Sequence, residues 1–239
     1  MTTILGNASL ASIEIGAASP LQKHFQRIND GALRAADLCK QLLAYSGEGQ
    51  FVVQNFCLNE ALTETTHLLL ISISKKAVLC FNLHEDLPSI EADPTQIRQI
   101  LINLVINASA AIGDKSGIIS LNTGLTRVDR TYLGGTMLAD DLPEGTYVYI
   151  EVSDNACGMT KETLDKVFDP FFTTKFEGRG LDLSASIGIM RGHKGTLKVY
   201  SEVNRGTTFK LLFSCAQGEA QALPKSNKAT DLRFGTGPC

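Results

Sequence analysis

Q-I-L-I-N-L-V-I-N-A-S-A-A-I, from Gln99 to Ile112, places two asparagines, Asn103 and Asn107, one helical turn apart. Residues at i and i+4 share a helix face, so Ile100, Leu101, Leu104, Val105 and Ile106 can be buried while both amides project into a cleft. Neutral oxygens of this kind suit Mg²⁺, which keeps waters and takes further ligands from phosphates. Further along comes V-S-D-N-A-C-G-M-T, Val152–Thr160, after an alternating strand at Tyr147–Ser153. Its carboxylate, Asp154, falls at a strand end, where ligands collect. Either segment alone equally fits a buried helix with satisfied amides or a strand-to-helix turn. In this order, together, they point to a nucleotide site.

Three more segments extend the pattern: V-F-D-P-F-F-T-T-K (Val167–Lys175), G-R-G-L (Gly178–Leu181) and S-E-V-N-R-G-T-T-F (Ser201–Phe209). In order and spacing the set resembles the catalytic, ATP-binding domain of sensor histidine kinases, members of the ATPase superfamily that includes gyrase, MutL and a heat-shock chaperone. The resemblance covers residues 51–214 and four ordered boxes. The short lid between Lys175 and Gly178 is most similar to the nitrogen-regulator and hybrid-kinase branch.

Composition sets limits. The net charge is −3 with no basic stripe, which disfavours nucleic acid as a partner. No apolar run approaches a membrane span and nothing reads as a signal peptide, so no direct membrane contact and a cytoplasmic setting are expected. The six cysteines form no C-x-x-C pair, which argues for reduced thiols over zinc or disulfides.

Ile4, Ala8, Ala11 and Ile15 predict a helix that Gly16–Pro20 breaks. Leu21, Phe25, Ile28, Ala32, Ala35, Cys39 and Leu42 then continue a heptad seam. Residues 1–46 read as a helical hairpin that dimerises, as the family does, and Ser46–Gln50 as a hinge. Helices are predicted at Asn59–Ile73, at Pro94–Ala111 with Asp93 as its cap, at Lys161–Val167 and at Leu181–Arg191. Strands are predicted at Val78–Leu83, Ile118–Gly124, Tyr147–Ser153, Leu197–Ser201 and Thr207–Ser214, and Thr126–Glu144 as a polar surface loop. The class is α+β: a mixed β-sheet covered on one face by helices, preceded by the hairpin. Residues 51–214 form the ATP-binding domain and 215–239 a tail or linker.

The resemblance implies roles residue by residue. Asp154 takes the exocyclic amine of adenine, Gly158 admits the base and Met159 packs on it. Asn107 ligates Mg²⁺. Asn103 holds the place where hydrolysing relatives carry a basic Glu, which favours phosphoryl transfer over hydrolysis. Thr173, Thr174, Lys175 and Arg179 reach phosphates; Gly180 and Leu181 open a helix whose free N–H groups suit an anion. Thr207 supports Asp154, and Phe168, Phe171 and Phe172 pack beneath the lid. ATP and Mg²⁺ are the implied cofactors, with a homodimer and the receiver domain of a response regulator as partners. Two positions depart from the pattern: Ala156 and Asp182 each replace a glycine. None of His24, His67, His84 and His193 matches the family's phosphoacceptor, so autophosphorylation is not expected. A degenerate nucleotide-sensing scaffold and a gyrase- or MutL-like ATPase are the alternative readings.

Overall fold

Alternation in five segments builds one sheet. The computed structural model describes residues 2–16, 19–46, 52–138, 142–175 and 180–216. Its helices and strands run α1 (Thr2–Ile15), α2 (Gln22–Ser46), β1 (Gln54–Phe56), α3 (Leu58–Ser72), β2 (Ala77–Asn82), β3 (Ile90–Ala92), α4 (Pro94–Ile112), β4 (Gly117–Val128), α5 (Arg130–Gly134), β5 (Gly145–Asp154), α6 (Lys161–Leu164), α7 (Asp182–Gly192), β6 (Thr196–Glu202) and β7 (Gly206–Ser214). The sheet order is β2-β4-β5-β7-β6. Only β2 against β4 is parallel, so the sheet is mixed. Ile119 and Leu121, Val148, Ile150 and Val152, and Phe209, Leu211 and Phe213 fill one face under α3, α4 and α7. Side chains of this size each stabilise by about 1.5–3 kcal/mol when fully buried.

Helix α4 carries the deciding stretch. Asp93 caps it, Oδ1 accepting from the N–H groups of Thr95 at 2.8 Å and Gln96 at 3.4 Å. Its Oδ2 accepts from Val52 N–H at 2.9 Å, tying in the incoming chain. Ile97, Ile100, Leu101, Leu104, Val105 and Ala108 face the core, while Asn103 and Asn107 stay half-buried. Ile106, expected inside, is 42% exposed, because the core stripe passes it by. Glu64 of α3 pairs with Arg98 of α4.

The hairpin helices are present, with Ala8 and Ala32 buried where α1 meets α2. Helix α2 also packs on α7, and Ser184–Met190 of α7 are consequently buried on every side. A helix with a single partner face would leave polar positions wet. The seam's Cys39 and Leu42 side chains, residues 47–50 of the hinge, and residues 217–239 of the tail lie outside the described residues.

The 126–144 segment differs from the surface loop expected. Strand β4 runs on to Val128, and Asp129 then caps α5 through Tyr132 N–H at 2.7 Å. Leu133 and Leu142 pack with Val128, Tyr147 and Leu212 on the sheet's other face. Met137 N–H donates to Leu197 O at 2.9 Å, so the segment also shields the β6 edge. Its apolar residues answer to distant strands, and no local period announces them. The β1–β3 pairing, three residues a side, was likewise too short to show alternation. Helix α6 stops at Leu164, shorter than expected, and the chain continues as turns.

Asp93→Ala, at a position only 6% exposed, removes the α4 cap and the acceptor of Val52 N–H. Urea unfolding should show a loss of about 2 kcal/mol.

Candidate functional site

Asp154 closes β5, paired in register with Thr207 of β7. Both of its hydrogen bonds with described residues fall on Oδ1, from Ala156 N–H at 2.9 Å and Thr207 N–H at 3.3 Å. That fixes the carboxylate plane and leaves Oδ2 as an acceptor. Burial raises its pKa above the ordinary carboxylate value, and the two backbone donors pull it partly back. Asp154 is not a helix cap: Thr160 fills that role for α6, its Oγ1 accepting from Thr163 N–H at 3.3 Å.

Gly158 sits at φ +63°, and a Cβ there would lie 2.0 Å from Glu202 O. The close approach it permits is therefore to the β6–β7 turn. Gly206, at φ +104°, answers from the other side, its absent Cβ 1.9 Å from Asp154 O. Ser201 joins these pieces. Its Oγ accepts from Met159 N–H at 2.8 Å, donates to Gly206 O at 3.1 Å and lies 2.9 Å from Thr207 Oγ1. Sequence reading quoted Ser201 and gave it no part; only its register opposite Thr207 reveals one. Ala156 does not adopt positive φ, so its methyl is accommodated without backbone strain.

Asn107 projects from α4, which packs on β5. Its Oδ1 accepts from the Lys175 ammonium at 2.7 Å, bringing α4 and the Val167–Lys175 segment together. Lys175 is exposed along its length, but its ammonium is partly desolvated, which lowers its pKa; the Asp182 charge opposes that. Asn103 Oδ1 accepts from Gln99 Nε2 at 3.0 Å. Thr173 Oγ1 accepts from Lys175 N–H at 3.1 Å, and Thr174 is exposed. Gly180, at φ +66°, lies against the Phe171–Phe172 backbone, where a Cβ would come within 2.3 Å of Phe172 O. Leu181 is buried at the head of α7, and Asp182 is exposed in its first turn. Arg179 lies outside the described residues. Phe168 packs edge-on against Phe209, ring centroids 6.3 Å apart. Phe171, by contrast, is 65% exposed at φ +69°, so it does not pack beneath the lid as expected.

Among the described residues no group of three or more His, Cys, Asp or Glu side chains could hold a metal ion. Asn107 Oδ1 nevertheless already receives a cation, so it fits a divalent ion that brings most of its ligands with it.

Residues 92–217 match the family described as histidine kinase-, DNA gyrase B- and HSP90-like ATPase. The chain belongs to that family. Sensor kinase CckA of Brucella abortus is 33% identical over 242 residues, 97% of this chain and 25% of that protein. Full-length ShkA with AMPPNP shares the fold at TM-score 0.65 and 21% identity, covering 90% of this chain and 43% of that one. Histidine kinase ThkA in complex with response regulator protein TrrA gives TM-score 0.56 at 27% identity, covering 90% and 57%. The chain spans about a quarter of the length of the curated relatives it matches. Within the ATPase family it carries the ATP-binding domain of the sensor histidine kinases. No helix among the described residues is long and apolar enough to cross a membrane.

The raised pKa of Asp154 gives a stability test of this ATPase domain. Between the ordinary 3.8 and the raised folded value, the fold binds the proton more tightly than the unfolded chain does. The cost of ionisation therefore grows as pH rises through that window and is constant above it. Asp154→Asn keeps an oxygen for both backbone donors and has no such cost. In thermal melts without ligand it should match or exceed wild type at pH 7, the gap closing as pH falls toward 3.8.

Proposed function

We propose that residues 51–214 bind Mg²⁺-ATP and transfer its γ-phosphoryl to a histidine, for relay to a response-regulator aspartate. Support comes from one pairing: a strand-end carboxylate anchored through Oδ1, on a strand packed against the helix that carries Asn103 and Asn107 and no general base. Asp154 Oδ2 suits the exocyclic amine of adenine; guanine presents a carbonyl there and leaves the carboxylate unmatched. Ser201 Oγ holds the Met159 N–H, and Met159 would pack on the purine, while Thr207 N–H donates to the carboxylate from β7.

At the phosphate end Asn107 would hold the metal, which neutralises charge on the β- and γ-oxygens. Thr173, Thr174, Lys175 and Arg179, with the N–H groups at Gly180 and Leu181, would orient the phosphates. Asn103 is an amide and cannot take a proton from water at neutral pH, so activation of water is disfavoured. Transfer then depends on positioning: the histidine nitrogen attacks γ-phosphorus, its bond to the ADP oxygen breaks, and the imidazole proton leaves to solvent.

Residues 1–46 serve as a dimerisation hairpin in this reading, because Ile4, Leu10, Ile13, Ile28 and Leu33 remain exposed on it. The complex of ThkA with response regulator protein TrrA supports a response regulator, through its receiver domain, as the proposed partner, and a cytoplasmic setting belongs to the same reading. A second reading, a nucleotide-sensing scaffold without transfer, is favoured by one observation: Asp182 adds a carboxylate where phosphates would arrive.

Calorimetric titration should show Mg²⁺-dependent ATP binding with clear preference over GTP. Asp154→Asn should weaken ATP by about 1–3 kcal/mol while leaving stability intact. Equal ATP and GTP affinity would overturn the adenine assignment. Sedimentation should show a concentration-dependent dimer that Ile28→Glu shifts to monomer.

A further inference from the structure

Asp154 of β5, Thr207 of β7 and Ser201 of β6 stand opposite one another across three neighbouring strands. Residues paired in this way point to one face of a sheet. Here it is the helix-covered face, since Val152, Phe209 and Val199, each two residues away, pack with the core there. Resting on the nucleotide reading above, we propose that Ser201 is a positioning residue for the choice of base: it holds the Thr207 hydroxyl as a donor to itself, so that Thr207 Oγ1 meets the ligand as an acceptor beside Asp154 Oδ2.

The hydrogens on these groups carry the inference. A serine hydroxyl has one hydrogen to give and two lone pairs. Met159 N–H can only donate and Gly206 O can only accept, so their contacts with Ser201 Oγ, at 2.8 and 3.1 Å, have a fixed direction. The single hydroxyl hydrogen of Ser201 therefore goes to Gly206. The remaining contact, 2.9 Å between Ser201 Oγ and Thr207 Oγ1, must be donated by the threonine. Ser201 then has no capacity left, and Thr207 has given its only hydroxyl hydrogen. Among the described residues Thr207 Oγ1 has no other hydrogen bond, and the residue is only 8% exposed. Its lone pairs are left for whatever lies against this end of the sheet. Thr207 N–H donates to Asp154 Oδ1 at 3.3 Å, so hydroxyl and carboxylate are neighbours. Side by side they offer acceptors alone, which suits an exocyclic amine or a water bound to one. A carbonyl at the six-position receives no hydrogen from either. A threonine free to rotate could offer its hydrogen to that carbonyl, so the discrimination depends on Ser201. The competing account is that Ser201 only ties Met159 to the β6–β7 turn, in which case its loss would weaken every purine nucleotide alike.

The test uses the full chain as wild type, Ser201→Ala, Ser201→Thr, Thr207→Val and the Ser201→Ala/Thr207→Val double variant, with thermal melts to establish folding. Calorimetry with Mg²⁺ compares ADP with inosine diphosphate, which carries a carbonyl in place of the six-position amine. Ser201→Ala should narrow the preference for ADP about three- to tenfold, the weight of one net hydrogen bond. Ser201→Thr retains a hydroxyl and should retain the preference. In the Thr207→Val background Ser201→Ala should narrow it no further. A preference that Ser201→Ala leaves unmoved, or narrows equally in the Thr207→Val background, overturns the proposal. Thr207→Val alone removes the acceptor and should also narrow the preference; an unchanged ratio there overturns the proposal even where Ser201→Ala does not fold. If neither nucleotide binds wild type or any variant, the nucleotide reading fails, and the ligand-free protein still decides the role of Ser201. NMR titration of the Asp154 carboxyl should then give a lower pKa in Ser201→Ala, because the released Thr207 hydroxyl donates to the carboxylate. The Thr207→Val background should abolish that shift, and an unmoved pKa in Ser201→Ala overturns the proposal.

Discussion

The site depends on how closely the end of β5 approaches the β6–β7 turn. Two backbone contacts there leave no room for a side chain: Gly206 against Asp154 and Gly158 against Glu202. Each glycine also has positive φ, so both space and conformation demand it. The chain leaving β5 is thereby locked to the neighbouring hairpin. Asp154 inherits its orientation from that lock, since one of its two donors is the N–H of Thr207, the residue after Gly206. Ser201 repeats the arrangement with side-chain bonds, joining Met159 to the same turn. The partly desolvated carboxylate is offset by its two backbone donors, from Ala156 and Thr207.

The opposite end of the site is organised by charge. Helix α4 supplies neutral amides, the Val167–Lys175 segment supplies an ammonium, and α7 supplies its N-terminal dipole and Asp182. Among the described residues, the Lys175 ammonium joins two of these groups by its contact with Asn107 Oδ1. The end proposed to take the base is thus fixed by backbone contacts, and the end proposed to take the phosphates by side-chain charge.

Much of this was legible in the sequence because it rests on local signals. The α4 stripe, its Asp93–Pro94 start and the β6–β7 hairpin each follow from short-range spacing, and the fold class follows from them. What escaped depends on partners far along the chain. Leu133 and Leu142 look like strays in a polar segment until Leu212 is set beside them. Strands β1 and β3 are three residues long and exist only as a pair. Phe171 was grouped with its neighbours as packing, but its positive φ turns it out to solvent while Phe168 takes the core position. For the site, the residue types were readable and the contacts were not: nothing in the spacing of Asn107 and Lys175 says that the two meet.

Helix α7 links the two halves of the molecule. Its first turn borders the phosphate end through Leu181 and Asp182, while its body is enclosed by the sheet, α4 and α2. Ile187, Ile189 and Met190 are at most 8% exposed, and moving α2 away would return such apolar surface to water. Burial of that kind favours a few discrete packings over continuous sliding. The surface that α2 covers and the turn that carries Asp182 thus belong to one helix. Asp182 places a charge in the first turn of the helix on which the hairpin packs, at the end proposed to receive the phosphates.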